Sequence, residues 1–143
     1  MNRAALDRYL DWLQALDAAS LGEISRHCAE GVRFCDPFHD VVGSDAYARV
    51  LAQALRDVKD LEFRVEQVAE TADGAFLAWT FAGALPGGRR AFRGMSVIRL
   101  DAAGLVCEHR DYWDSAEVFE GVPLIGRLLG WAKRWVAARL GRP

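Results

Sequence analysis

"RGMSVIRLDAAGLVCEHRDYWD", residues 93–114, is two alternating runs joined by a turn, and its reading settles the class of the fold. In the first run Phe92, Ser96, Ile98 and Leu100 share a face, with Ser96 its lone polar side chain. "DAAG" (101–104) supplies the Asp and Gly that reverse a chain. In the second run Leu105, Cys107, His109, Asp111 and Trp113 point one way, and Val106, Glu108, Arg110, Tyr112 and Asp114 the other. Two more runs precede these. Leu61, Phe63, Val65 and Ala69 alternate with Glu62, Arg64, Glu66 and Glu70, and residues 75–85 follow after "TADG" (71–74), with "PGG" (86–88) behind them. Strands at 61–70, 75–85, 90–100 and 105–113, separated by turn chemistry, predict an antiparallel meander with one buried face.

Helical patterns flank the meander. Leu6, Tyr9, Leu10, Leu13 and Leu16 have helical spacing over residues 4–17, and a second short helix is expected over 21–29, after a break at Ala19-Ser20. Val32, Phe34 and Asp36 then alternate with Arg33 and Cys35 in a short strand that Pro37 ends. Gly43-Ser44-Asp45 reads as a cap in which Ser44 accepts from the first turn of a helix reaching about Val58. Beyond the meander, Asp114-Ser115-Ala116-Glu117 reads as a capping box and Pro123 suits a first turn. Residues 124–140 then form an amphipathic helix stopped by Gly141. Helices followed by a curved antiparallel sheet make an α+β domain over residues 1–120, extended by a basic amphipathic helix at 121–143.

The chain's 143 residues suit one domain, and 52% apolar against 27% charged residues is the balance of a globular protein. Charges interrupt the N-terminal apolar residues, which excludes a signal-peptide core and points to a cytoplasmic protein. Cys28, Cys35 and Cys107 are odd in number and lack CxxC spacing, so small buried thiols fit better than a disulfide framework or a zinc knuckle. The net charge of −2 divides into +5 from Gly121 onward, where there is no acid, and −7 before it. The body is therefore a poor partner for nucleic acid.

Three segments each place polar groups on an otherwise apolar face: Asp36, Ser96, and the pair His109 and Asp111. A carboxylate there is costly unless it meets a cation, donors or a wet, ligand-filled cavity. An unpaired carboxylate out of water holds its proton more tightly, which suits general acid–base chemistry near neutrality. Structural readings stand beside the catalytic ones. Asp111 could pair with an arginine or with His109, and Asp36 could cap its own "DPFHD" turn (36–40). His39 could close over a ligand or face solvent, and Asp114 reads as a helix cap.

The order of elements, with "FCDPFHDVVG" (34–43) and "RGMSVIRLDAAGLVCEHRDYWD" (93–114), resembles the SnoaL-like branch of the nuclear transport factor 2-like superfamily. Its members share a cone-shaped α+β barrel with ketosteroid isomerase and limonene epoxide hydrolase. Asp36-Pro37 is similar to the strand-end Asp-Pro that supplies the proton-shuttling base of ketosteroid isomerases, which have an oxyanion hole of a Tyr and a protonated Asp. Counted without gaps from that Asp, the two oxyanion positions fall on Trp12 and Ser96. "RDYWD" (110–114) is similar to the "RDYFD" of limonene epoxide hydrolases, whose first Asp helps to activate water, and this implies that role for Asp111. The Arg-x-Asp of those enzymes is replaced here in the Trp79-Thr80-Phe81 region. In polyketide-cyclase members a pocket Asp acts as base.

The resemblance implies a homodimer that binds a hydrophobic small molecule and performs cofactor-free isomerisation, cyclisation, dehydration or hydrolysis. The alternative is a non-catalytic binding or assembly module of the same fold. The expected catalytic residues are Asp36, Asp111 and His109, with Trp12, His39, Ser96, Trp79 and Trp113 contacting substrate. No metal is expected, because His39, Asp36 and Asp40 lack a ligand spacing. The tail stripe Leu124, Leu128, Trp131 and Trp135 either packs on the barrel or a dimer partner, or makes a weak contact with an anionic membrane surface through residues 124–140.

Overall fold

The computed structural model describes residues 1–140, so the expected helix stop at Gly141 and the basic Arg142 lie outside the described residues. Helix α1 spans Arg3–Gln14, with the Asn2 side chain accepting from the Ala5 amide at 3.1 Å. It ends earlier than its apolar pattern, because Asp17 Oδ1 accepts from the amides of Ala19 and Ser20 and starts a 3-10 helix, Ser20–Arg26. That short helix stops before Cys28, where strand β1 (Cys28–Cys35) begins, instead of running to residue 29. Strand β2 (Asp40–Val42) pairs back on β1. Helix α2 is Ser44–Asp57. Its cap is Gly43 at φ 106°, a conformation open to glycine, while Ser44 lies within the helix and the cap makes no side-chain hydrogen bond.

The meander follows as β3 (Lys59–Glu70), β4 (Gly74–Leu85), β5 (Gly88–Leu100) and β6 (Val106–Trp113). The six strands form one curved, open sheet in the order β2-β1-β6-β5-β4-β3. All pairs are antiparallel except β1 with β6, which run parallel, so the sheet is mixed. Register breaks in β1, β3 and β6 give it its bend. The break in β6 matters for parity. Arg99 pairs with Glu108 but Leu100 with Val106, so Cys107 is the extra residue, and Val106 turns to the inner face with no exposure. From Glu108 to Trp113 the alternation is regular.

Helices α1 and α2 cover the concave face, and the core between includes Leu6, Leu10, Val32, Leu77, Ile98 and Val106. Cys28 lies in it, and burial pushes its thiol up to about 12, as expected of an inert packing residue. Helix α3 (Ser115–Phe119) starts at Asp114, whose carboxylate accepts from the Ala116 amide at 2.9 Å. Helix α4 (Ile125–Leu140) buries no residue, so its apolar stripe does not pack on the sheet or on the other helices. No helix among the described residues is long and apolar enough to cross a membrane.

Candidate active site

Strand pairing brings the polar groups of the inner face together. Ser96 of β5 is the cross-strand partner of Asp111 of β6, and Ile98 of His109. Asp111 Oδ1 accepts from Ser96 Oγ at 2.5 Å and lies 2.7 Å from His109 Nε2. Trp79 on β4 donates its indole N–H to Ser96 Oγ at 2.7 Å. On the far side of the imidazole, the hydroxyls of Tyr9 from α1 and Tyr47 from α2 stand 2.5 and 3.0 Å from His109 Nδ1, and 2.9 Å from each other.

The direction of these bonds follows from what each group can donate. An indole N–H only donates, so Ser96 accepts from Trp79 and turns its own proton to Asp111. Asp111 Oδ1 accepts from the Ser96 hydroxyl and from the Nε2–H of His109, which leaves Nδ1 to accept from Tyr9, the nearer phenol, while Tyr47 donates to Tyr9. The assigned chain runs Trp79 to Ser96 to Asp111 from one side, and Tyr47 to Tyr9 to His109 to Asp111 from the other. Neither tyrosine is exposed at all, and burial holds both phenols well above the usual value, so they remain donors. Among the described residues no buried side-chain nitrogen or oxygen lacks a partner. The polar chain is thus satisfied, which is the condition for stable polarity in a core.

Asp111 and His109 form part of the wall of a cavity of about 470 Å³. Most of that wall is apolar, including Phe34, Leu51, Phe63, Phe81, Phe92 and Trp113. The remaining polar groups are Asp36, His39 and Tyr47, with Gln53 and Asp57, exposed residues of α2, at the solvent end. The Asp111 side chain is 15% exposed, and its Oδ2 has no protein partner among the described residues. One carboxylate oxygen is therefore fixed and the other is unpaired among the described residues.

Asp36 borders the same cavity but is differently employed. Its Oδ1 accepts from the amides of Phe38 and His39 at 2.7 and 2.6 Å and from His39 Nδ1 at 2.9 Å, which closes the β1–β2 turn. His39, Trp79 and Trp113 lie in the cavity wall, and Trp113 also meets Phe38, with ring centroids 5.2 Å apart. Ser96 is fully buried and its proton is committed to Asp111, so it does not serve as an oxyanion donor. Trp12 is not brought to the cavity. Its indole donates to the Ser20 carbonyl at 3.0 Å and its ring stacks on His27 at 4.9 Å, because this side of α1 faces the 3-10 helix. The Tyr9 and Tyr47 pair was not anticipated as part of the site. The available signal was a hydroxyl within each buried helical stripe, which must find a partner. Among the described residues no three His, Cys, Asp or Glu side chains converge as a metal site would require.

The fold places the chain among known structures. It superposes with a TM-score of 0.74 on a candidate SnoaL-like polyketide cyclase from Jannaschia Sp. CCS1, at 18% identity over 86% of this chain and 92% of that one. It matches an epoxide hydrolase of the LEH-like type from M.tuberculosis at 0.65 and 18%, covering 91% and 90% of the two chains. A Mycobacterium tuberculosis protein in complex with estradiol-17beta-hemisuccinate matches at 0.62 and 17%, over 78% and 92%. These identities establish a shared fold. No curated protein matches the chain. The model of the SnoaL-like domain matches residues 8–109, from α1 through the histidine of the polar chain, and the protein belongs to that family.

Proposed function

We propose that the protein catalyses cofactor-free proton transfer on a hydrophobic small molecule bound in this cavity, with Asp111 accepting and returning the proton. The observation that carries this reading is a carboxylate on a mostly apolar wall, with Oδ1 held by Ser96 and His109 and Oδ2 without a partner among the described residues. A carboxylate so positioned can take a proton from a carbon acid or from water, and the substrate decides whether isomerisation, cyclisation, dehydration or hydrolysis follows. His109 is a positioning residue: the tyrosines fix its tautomer and it fixes Asp111. His39 and Asp36 stand at the same cavity, and the His39 ring is the second polar group available to orient substrate. The size suits a drug-sized apolar ligand.

The reading is tested in deuterated water with apolar ketones carrying enolisable C–H bonds and with apolar epoxides, using estradiol-17beta-hemisuccinate as a binding probe. The expected result is deuterium incorporation or diol formation that Asp111→Asn abolishes while probe binding persists. Probe binding with no Asp111-dependent turnover of either class identifies a binding module and overturns the catalytic reading.

We also propose a homodimer through the convex face of the sheet. Phe76, Met95 and Tyr112 lie on adjacent strands of that face and are 46%, 53% and 56% exposed. Neighbouring large apolar groups of this kind favour a protein contact over water.

A further inference from the structure

Helix α4 carries three large exposed apolar side chains on one line, while the exposed Ile125, Val136 and Leu140 lie to one side of it. At about 100° per residue, Leu128, Trp131 and Trp135 fall within an arc of about 60°. They are 64%, 58% and 47% exposed, and Leu124, just before the helix, is 75% exposed. Arg127 and Arg134 flank this line on one side and Arg139 on the other. The Arg139 guanidinium lies over the Trp135 ring at 4.3 Å. None of the three arginines has a carboxylate partner among the described residues.

The opposite side of the helix faces the body. Lys133 reaches Glu120 at 2.5 Å and Asp114 at 3.5 Å, so the inward cation is neutralised by the domain. Gly126 sits against the Glu120 carbonyl, with no room for a Cβ, and Gly121 packs equally closely on Pro86. The helix is thus held at its base with its aromatic and basic side turned outward.

We propose that α4 is a membrane-surface helix that seats Leu124, Leu128, Trp131 and Trp135 in the interface of an anionic bilayer. Charge selects this occupant over a second copy of the helix. From Gly121 to the end there are five basic residues and no acid, so two such helices packed face to face would bring arginine rows together without a carboxylate between them. An anionic lipid surface supplies the missing charge, and indole rings are the apolar groups best suited to that depth. The helix also begins beside the cavity. Pro86 and Val118 line the cavity, and Gly121 packs on Pro86, so docking through α4 brings the cavity rim near lipid. This gives a hydrophobic ligand a route that avoids water. The docking itself does not depend on the catalytic reading.

The test is flotation of the full chain with vesicles of phosphatidylcholine, with and without phosphatidylglycerol. Binding to the anionic vesicles only, falling as salt is raised, is expected. The double variant Trp131→Ser/Trp135→Ser should lose about tenfold or more in partition, and Arg127→Glu/Arg134→Glu at least as much. These side chains are exposed, so circular dichroism and thermal melting should remain those of the parent. Three results would overturn the proposal: no flotation at low salt, equal flotation with neutral lipid, or a fall from dimer to monomer by light scattering in the tryptophan variant without vesicles. The last would make the stripe a subunit contact. None of these outcomes bears on turnover by Asp111.

Discussion

His109 Nε2 and Asp111 Oδ1 lie 2.7 Å apart although the two residues are neighbours on the same face of one strand. Side chains two apart on a strand normally stand parallel with their Cβ atoms more than about 6 Å apart, so contact requires the imidazole to lean along the strand. Tyr9 and Tyr47 at Nδ1 hold it there.

From this arrangement Asp111→Asn should lower turnover of a reactive substrate by about 10²–10⁴-fold, the usual worth of a positioned general base. His109→Ala should lower kcat more than it raises KM, because it frees the carboxylate while the apolar side chains of the wall stay in place. Gln at 109 keeps a donor near Asp111 and should recover part of the loss, with a shifted pH profile. Steady-state kinetics of the three variants check this, and equal kcat for His109→Ala and the parent would remove its positioning role.

The two tyrosines predict alkaline behaviour. Burial holds both folded-state phenols well above their ordinary value of about 10. Below that value both states are protonated and the folded state keeps its full advantage. As pH rises past about 10 the unfolded chain releases protons that the folded chain retains, so stability falls with rising pH. Urea unfolding across this range should show a declining midpoint, shallower for Tyr47→Phe. Ultraviolet difference spectra should show Tyr9 and Tyr47 ionising only as the fold is lost. Ionisation of either in a chain still folded by far-ultraviolet dichroism would contradict their shared burial.

The convex face yields a test of assembly. Met95 and Tyr112 are cross-strand partners, so Met95→Glu places a charge directly against the phenol. In a monomer this substitution at a half-exposed site should change stability little, by within about 0.5 kcal/mol. If the face joins two copies, the charge is buried at the contact and the mass by light scattering should fall to that of one chain. A monomeric parent would remove the dimer.

How far these residues were readable in advance depended on whether local period or distant pairing placed them. Ser96, His109, Asp111 and Trp113 share a face because β5 and β6 keep a strict alternation from Glu108 onward, and period two is visible in any sequence. The same rule misplaced Val106, since nothing local marks Cys107 as a bulge. The three-residue β2 is too short to show a period, and its Asp40 reads as part of a loop until Arg33 and Asp40 are seen paired across the hairpin at 2.7 Å. The parallel pairing of β1 with β6 joins residues more than seventy apart and has no local signature. Tyr9 and Tyr47 fit a core stripe as well as a site, because the imidazole that claims their hydroxyls lies on the last strand. Trp12 meets an oxyanion position only by ungapped spacing, and the 3-10 helix supplies its indole with a nearer acceptor in the Ser20 carbonyl.

Gly94 is a tight point beside the cavity. It pairs with Trp79 on one side and Trp113 on the other, and a Cβ built on it would meet the Trp79 ring at 2.3 Å. Replacing Gly by Ala within a strand lowers the entropy of the unfolded chain, a gain of about 0.5–1 kcal/mol. The overlap opposes that gain. Trp79 is 3% exposed, tied to Ser96 at 2.7 Å and packed on Phe63 with centroids 5.3 Å apart, so the ring cannot swing to solvent. Overpacking of a held core ring costs about 1–3 kcal/mol, which outweighs the entropic gain. Gly94→Ala should therefore lower the urea midpoint and drive the indole toward the cavity, weakening a large apolar probe more than a small one. The two readouts separate the causes: a less stable protein with unchanged probe selectivity would mean that the ring yields away from the cavity.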